Sequence, residues 1–339
     1  MDKKCFFRIA LSLGFFCSVL CLSIVSHTTT LAGEANHRIT CIIPSRQETV
    51  FWKEIDDSIR DAADDCQLEL TMLYTNSSEQ SMTMSLNDAI ETAILFDTEA
   101  IITSYTKANA DTDELLKRAR QAGIYVIFLD CDGPPELRDV YVGIDNEAAG
   151  YAIGMYAKNQ LEDGEKALLC YSLGEQNIQN FSERLNGIIR AFESCPDSIQ
   201  TFSLSDSNDL MRILELETYI THNASIKALI ATRERATIVS SQLLSRLDMS
   251  GEISLYGFDQ SDETMSLLEN NQITALVCQQ HYDMGYQSVI LAHQLLEGET
   301  LLSDFCKIDF LILSANGIEE TQNRMEHAKQ MLLENPIIS

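Results

Sequence analysis

The stretch that decides the fold is residues 124–130, Ile-Tyr-Val-Ile-Phe-Leu-Asp, in which an uninterrupted apolar run ends in a carboxylate. A run without polar alternation is typical of a strand that is buried on both faces, as in a parallel sheet covered by helices. Ligands of open α/β sheets bind at the carboxyl ends of the strands. Asp130 is therefore a candidate ligand-binding residue.

Short apolar strands alternate with amphipathic helices on both sides of this run. Before it, the pattern predicts strands at 38–43, 68–73 and 100–103 and helices at 51–66, 85–95 and 112–122. After it, the pattern restarts, with strands at 141–144, 167–171, 201–204, 226–231 and 253–256 and helices at 146–160, 181–192, 209–221 and 236–247. Alternation of this kind gives right-handed crossovers and parallel sheets. The sequence predicts an α/β protein with two doubly wound parallel-sheet lobes.

The first residues indicate export. Three basic residues, Lys3, Lys4 and Arg8, precede an uncharged run from residue 9 to 25 and a small, polar stretch that reaches Gly33. This pattern is typical of a secretory signal peptide with cleavage near Ala32. The run is also just long enough for an N-terminal membrane anchor, so residues 1–32 have two interpretations.

Composition excludes several function classes. The net charge of −27 argues against nucleic-acid binding, which needs a basic surface. The ten cysteines form no CxxC pair, and the sequence has no phosphate-binding Gly loop or metal-ligand cluster. Cys41, Cys170 and Cys278 lie in apolar strand-like runs and are predicted to be buried thiols. We expect no cofactor, no metal and no enzymatic activity.

Six short motifs follow one another along the chain in a fixed order. They are Ser45–Trp52 (SRQETVFW), Leu129-Asp130, Asp145-Asn146, Arg184-Leu185-Asn186-Gly187-Ile188, Gly257-Phe258-Asp259 and the strand Ala275–Gln279. In this order, the chain from about Arg38 to Asn316 resembles the type I periplasmic sugar-binding proteins. This is the ribose- and galactose-binding group, whose fold is shared with lac-repressor-type effector domains.

The resemblance implies a ligand site built from Thr49, Phe51, Trp52, Asp130, Arg184, Arg233, Asp259 and Gln279. Aromatic rings suit the C–H faces of a sugar, carboxylates accept from adjacent hydroxyls, and a guanidinium donates. Each has a structural alternative. Phe51 and Trp52 could be core residues of their helix, the two aspartates could be turn or capping residues, and Arg184 could form an ion pair on a helix face.

Two positions depart from the pattern of the ribose-binding member. Cys131 follows Asp130 where that protein has Arg, and Arg233 stands where it has Asn. One hypothesis is that Arg233 recognises a different hydroxyl pattern or faces a carboxylate or phosphate of the ligand. The other is that Arg233 forms an internal pair with Asp259 or Glu234.

The resemblance also implies how the protein works. We expect lobe I at 38–144 plus 280–310, lobe II at 145–279 plus 311–318, and a helical tail at 319–339. A three-segment hinge would cross near Asp145, Gln279 and Phe310. An extracytoplasmic monomer would close on a small sugar, a monosaccharide or a derivative of one, and deliver it to an ABC permease. The alternative is a membrane-anchored sensor that reports to a histidine kinase.

Overall fold

The structure is a computed structural model, which describes residues 36–44, 49–75, 84–106, 108–172, 178–204 and 210–317. The predicted signal segment 1–32 and the predicted tail 319–339 lie outside the described residues. So do residues 45–48 of the first quoted motif.

Each of two six-stranded sheets forms the centre of one lobe. The strands of lobe I are β1 (Arg38–Pro44), β2 (Glu69–Thr75), β3 (Ala100–Thr103), β4 (Tyr125–Leu129), β5 (Val140–Ile144) and β11 (Phe305–Ile308). The strands of lobe II are β6 (Lys166–Ser172), β7 (Ile199–Leu204), β8 (Ile226–Ala231), β9 (Ser254–Phe258), β10 (Ala275–Gln279) and β12 (Phe310–Ser314).

Helices cover the sheets. Those of lobe I are α1 (Val50–Asp65), α2 (Leu86–Leu95), α3 (Ala110–Gln121) and α9 (His281–Leu296). Those of lobe II are α4 (Asn146–Lys158), α5 (Gln179–Ala191), α6 (Leu210–Thr221), α7 (Glu234–Arg246) and α8 (Asp262–Glu269). The predicted fold class, two doubly wound α/β lobes, is confirmed.

The two sheets share one topology. Lobe I has the order β11-β5-β4-β3-β1-β2, and lobe II has the order β12-β10-β9-β8-β6-β7. In each lobe the second strand lies outside the first, and the third to fifth strands continue on the other side. This order creates a switch point between the first and third strands, where the chain leaves opposite faces of the sheet. Both lobes therefore offer a crevice at the carboxyl ends of their strands.

The chain passes between the sheets three times, after Ile144, after Gln279 and after Ile308. At the third passage only Asp309 separates β11 from β12. β11 is parallel to its neighbour and ends at the carboxyl edge of the lobe I sheet. The chain therefore enters lobe II at the carboxyl edge of its sheet, and β12 must run in the direction opposite to the other strands. It therefore pairs antiparallel with β10, although the other strand pairs in both sheets are parallel.

Burial follows the predicted pattern in the strands. Residues 126–129 of β4 are fully buried, and so are Cys41, Cys170 and Cys278. Burial raises the pKa values of these three thiols, with that of Cys170 reaching about 12. They behave as small apolar core residues.

Three short elements were not predicted from the sequence, namely α8, β11 and β12. Helix α8 spans little more than two turns, and a single residue separates β11 from β12, so their pattern does not show where one strand ends and the next begins. Three helices begin two residues earlier than predicted, α3 at Ala110 rather than Thr112, α5 at Gln179 rather than Phe181 and α7 at Glu234 rather than Ala236. The earlier start places Phe181 in the first turn of α5.

Helices α4 and α5 touch through glycine. A Cβ atom on Gly150 would overlap the carbonyl oxygen of Arg184, and one on Gly187 would overlap that of Glu147. Only glycine permits the two helix backbones to come this close. The contact therefore sets the position of the Arg184 backbone relative to α4.

We expect Gly150→Ala to destabilise the fold by about 1–3 kcal/mol, because overpacking against backbone outweighs the ~1 kcal/mol gain in helix propensity. Urea unfolding followed by circular dichroism would measure the change. Ser245→Ala, at an exposed position of α7, is the control and should change stability by less than about 0.5 kcal/mol. Equal stability of Gly150→Ala and the wild type would contradict this packing.

Candidate functional site

A cavity of about 390 Å³ lies between the carboxyl ends of the two sheets. This volume is within the ~300–1,000 Å³ typical of small-molecule pockets. All the residues predicted from the sequence line it, namely Thr49, Phe51, Trp52, Asp130, Arg184, Arg233, Asp259 and Gln279. The structure thus brings the whole predicted set together, and the binding role of each residue stays a prediction.

Asp130 and Asp259 occupy equivalent places in the two lobes. Each directly follows the fourth strand of its lobe, and each has a left-handed backbone, with φ of 67° and 70°. Their N–H groups donate to Val142 and Val277 on the fifth strands, over 3.0 and 2.9 Å. Aspartate tolerates this conformation better than most residues. The bend leaves both carboxylates on the cavity wall.

Arg184 is buried, with 1% of its surface exposed. Its Nε donates to Asn146 Oδ1 over 2.8 Å, and its Nη1 donates to the Thr232 carbonyl over 3.0 Å. Nη1 also lies 3.6 Å from Asp259 Oδ2, and the guanidinium stacks 4.6 Å from the centre of the Phe258 ring. These contacts compensate a buried cation and fix its direction.

Gln279 connects this cluster to the hinge. Its Nε2 donates to Asp259 Oδ1 over 2.6 Å, and its backbone forms two hydrogen bonds with the Gln260 side chain. Gln279 Oε1 is buried and accepts no hydrogen bond from the described residues. A buried amide oxygen on a cavity wall is suited to accept from a ligand hydroxyl.

The aromatic wall consists of Phe51 and Trp52, at the start of α1. Thr49 caps this helix, because its hydroxyl accepts from the Trp52 N–H over 3.3 Å. The two rings meet edge to face, with centroids 4.8 Å apart. Phe51 also packs edge to face on His281 at 4.5 Å. Both aromatic residues are half-buried, so each has ring surface in the core and ring surface on the cavity.

Asp130 has an unusual protonation. Its pKa is raised from 3.8 to about 7, chiefly by burial; the Arg184 charge lowers the pKa and the Asp259 charge adds to the rise. Its carboxylate forms no hydrogen bond with the described residues, while its carbonyl accepts from the Tyr141 hydroxyl over 2.8 Å. Hydroxyl groups of a ligand would supply the donors that the ionised Asp130 carboxylate lacks, and so would stabilise its charged form.

Cys131 brings lobe I close to lobe II. Burial raises the pKa of its thiol to about 12, and the Asp130 charge adds to the rise. The nearby backbone groups of Asn180 and Gln179 and the Thr106 hydroxyl lower this pKa, and the thiol itself donates to the Asp132 carbonyl over 3.7 Å. The thiol therefore faces the first turn of α5, and the lobes meet around the cavity.

Arg233 directly precedes α7 and lines the lobe II wall with Glu234 and Arg235. Three arginines therefore line the cavity from lobe II, whereas lobe I contributes a carboxylate and two aromatic rings. Both hypotheses for Arg233, ligand contact and internal pairing, stay predictions.

Sequence reasoning missed half of the residues that line the cavity, namely Pro44, Thr75, Thr106, Ile178, Asn180, Phe181, Glu234 and Arg235. It also missed that Asn146 orients Arg184. One signal was present, because Phe181 follows the first strand of lobe II much as Phe51 follows the first strand of lobe I. Asn146 belongs to one of the quoted motifs, but its contact with Arg184 depends on the approach of α4 to α5 and has no local signal.

Two kinds of feature are absent from the described part of the chain. Within the described ranges, no three His, Cys, Asp or Glu side chains are grouped as metal ligands. None of the helices in the described part of the chain combines the length and the apolar character that a membrane span requires.

Residues 39–300 match the family described as periplasmic binding protein domain. The ribose import binding protein RbsB of Escherichia coli is 19% identical over 285 residues, which cover 84% of this chain and 94% of RbsB. Its identity is low, but the aligned region spans nearly the whole of both proteins.

Solved structures agree with this fold. A solute-binding protein of an ABC transporter from Burkholderia graminis, in complex with D-arabinose, is 20% identical with a TM-score of 0.73 and covers 84% of this chain and 98% of its own. A chain of the XylFII–LytSN complex is 22% identical with a TM-score of 0.69 and covers 83% and 98%. Because the family match spans most of the sequence and the two-lobed fold agrees with it, the chain belongs to the periplasmic binding protein domain family.

Proposed function

We propose that this protein is an extracytoplasmic solute-binding protein that captures a small sugar or sugar-like ligand between its lobes and delivers it to an ABC transporter. The observation that carries the proposal is the lining of the cavity. Aromatic rings, two carboxylates and a buried guanidinium come from both lobes and face one space of about 390 Å³.

The chemistry of this lining favours a hydroxyl-rich ligand. Asp130, Asp259 and Gln279 Oε1 provide acceptors, and Arg184 provides a fixed donor. Phe51, Trp52 and Phe181 provide flat apolar surface for C–H groups. Two relatives support this class, since RbsB is named for ribose import and the Burkholderia protein was solved with D-arabinose.

Hinge closure follows from the division of the site. Asp130 and the aromatic wall belong to lobe I, whereas Arg184, Asp259 and Gln279 belong to lobe II. A ligand that contacts both groups binds the closed form more tightly than the open form, and so it shifts the population toward closure. Three crossings of one or a few residues each provide the hinge.

Binding without turnover is part of the proposal. The relatives named above are binding proteins, and the carboxylates of this cavity are already engaged as acceptors or partly protonated. We expect any bound sugar to be recovered unchanged after long incubation.

A membrane-anchored sensor is the second candidate function. It is favoured by the similarity to a chain of the XylFII–LytSN complex, in which a protein of this fold has a protein partner. The basic and uncharged N-terminal segment would then act as an anchor. Retention of the protein in washed membranes, together with an unprocessed N-terminus, would favour the sensor over a freely diffusing carrier.

Thermal unfolding of the protein against neutral pentoses, hexoses, sugar acids and sugar phosphates tests the ligand class. A true ligand at about 100 times its Kd stabilises the fold by ~2.7 kcal/mol and raises Tm by several degrees. We expect at least one sugar class to do so. If neutral sugars outcompete all acids and phosphates, Arg233 does not bind an anionic group. An unchanged Tm with every compound of the panel would contradict sugar binding.

We expect Arg184→Ala to weaken sugar binding about 100-fold, because the loss of one partner of a buried charge pair costs about 3 kcal/mol. Titration calorimetry with the best sugar of the screen would measure it. Arg190→Ala is the matched control, since Arg190 lies on the same helix but pairs with Glu147 on an exposed face. Equal losses of sugar affinity in the two variants would contradict a specific role of Arg184 in binding.

Sugar affinity should fall as the pH drops below 7. In the empty cleft the pKa of Asp130 is about 7, and only the ionised carboxylate offers both of its oxygens as charged acceptors to ligand hydroxyls. Well below pH 7 we expect about a tenfold loss of affinity per pH unit. Calorimetry between pH 5.5 and 8 would measure it, and Asp130→Asn should show no such dependence.

The same group affects stability in the absence of ligand. Because the folded state raises this pKa, it binds the proton more tightly than the unfolded chain does between pH 4 and 7. Relative to Asp130→Asn, the stability of the wild type should fall as the pH rises through this window and stay level above it. A difference that grows with rising pH would contradict the raised pKa.

A further inference from the structure

The second crossing between the lobes places two side chains against different walls of the cleft. Gln279 ends β10 and bonds Asp259 on the lobe II wall over 2.6 Å. Two residues later, His281 begins α9, and its ring lies behind the aromatic wall of lobe I. A segment of three residues thus touches both halves of the site.

His281 makes two directed contacts with α1. Its Nδ1 lies 3.0 Å from Glu54 Oε2, and because a carboxylate only accepts, Nδ1 carries the proton and donates. Its ring meets Phe51 at 4.5 Å with an interplanar angle of 67°, and Phe51 meets Trp52 at 4.8 Å with an angle of 87°. These edge-to-face contacts form a continuous chain from the hinge to Trp52.

A residue that only packs in the core would not need an imidazole at this position. The His281 side chain is fully buried, and its Nε2 has no hydrogen-bond partner among the described residues. An unsatisfied buried polar atom destabilises the folded state, and a phenyl ring would avoid that cost. The imidazole supplies in return a hydrogen bond and a ring face together, each aimed at a different residue of α1.

We propose that His281 is a positioning residue, which fixes the lobe I end of the second crossing to α1 and thereby sets the orientation of Phe51 and Trp52 toward a ligand. Because Gln280 is the residue between the two lobes, Gln279 moves with lobe II during closure and His281 stays with lobe I. The ring holds the aromatic wall in a constant position relative to this pivot. The inference rests on the proposed function, in which this wall contacts the sugar.

The single tryptophan makes the inference measurable, because Trp52 is the only tryptophan of the chain and its fluorescence reports on the aromatic wall alone. Two variants separate the two contacts of His281. His281→Phe keeps a ring against Phe51 and loses the bond to Glu54, whereas His281→Asn keeps a donor and loses the ring. His293→Asn is the matched control, twelve residues further along the same helix and about 18 Å away.

Emission and acrylamide quenching of the ligand-free full chain come first, followed by calorimetry with D-ribose and D-arabinose. For His281→Asn we expect red-shifted emission, about twofold stronger quenching and about tenfold weaker sugar binding, since the ring contact with Phe51 is lost. His281→Phe should keep the wild-type emission and weaken binding about threefold, since only the hydrogen bond is lost. His293→Asn should match the wild type in all three readouts.

Unchanged emission and quenching in His281→Asn would overturn the inference. So would a lower Tm of this variant with unchanged sugar affinity, which a purely structural residue would give, or equal effects in His293→Asn. If neither sugar binds the wild type, that failure concerns the ligand class, and the ligand-free emission and quenching still decide whether His281 holds the wall.

Discussion

The buried guanidinium of Arg184 is the interaction on which the rest of the cleft depends. A cation with almost no exposed surface must be compensated, and its partners come from the start of α4, the end of β8 and the residue after β9. Compensation therefore ties three elements of lobe II together at the carboxyl edge of the sheet. The glycine contact between α4 and α5 belongs to the same arrangement, because it sets how deeply Arg184 enters.

The two lobes share a topology but differ in electrostatics. Asp259 has Arg184 beside it and accepts from Gln279, so its charge is balanced within lobe II. Asp130 occupies the equivalent place in lobe I, where its neighbour Cys131 carries no positive charge. Burial raises the pKa of Asp130 to about 7, although the Arg184 charge lowers it. Asp130 thus depends on the ligand for hydrogen-bond donors, whereas Asp259 already has them within lobe II.

Local pattern was enough to predict most of the fold, and the resemblance to the sugar-binding family supplied the eight candidate residues. Acidic and aromatic residues at strand ends can be recognised without a structure, since parallel strands bring their carboxyl ends to one edge. Asn180 was missed because nothing in its own segment marks it, and the contact of Asn146 with Arg184 was missed because it joins two helices. The start of α5 at Gln179, before the first apolar residue of the helix, was also beyond a pattern of apolar residues.

The sequence by itself determined the α/β class, the order of strands and helices, and the residue types at the edge of each sheet, because these depend on periodicity and on neighbours in the chain. The tertiary structure alone decided which groups pair. Arg184 meets Asn146, Thr232 and Asp259 across 38, 48 and 75 positions of sequence, and His281 meets Glu54 across 227. Contacts between distant segments, and the burial that sets the charge of Asp130, arise only when the sheets and helices pack.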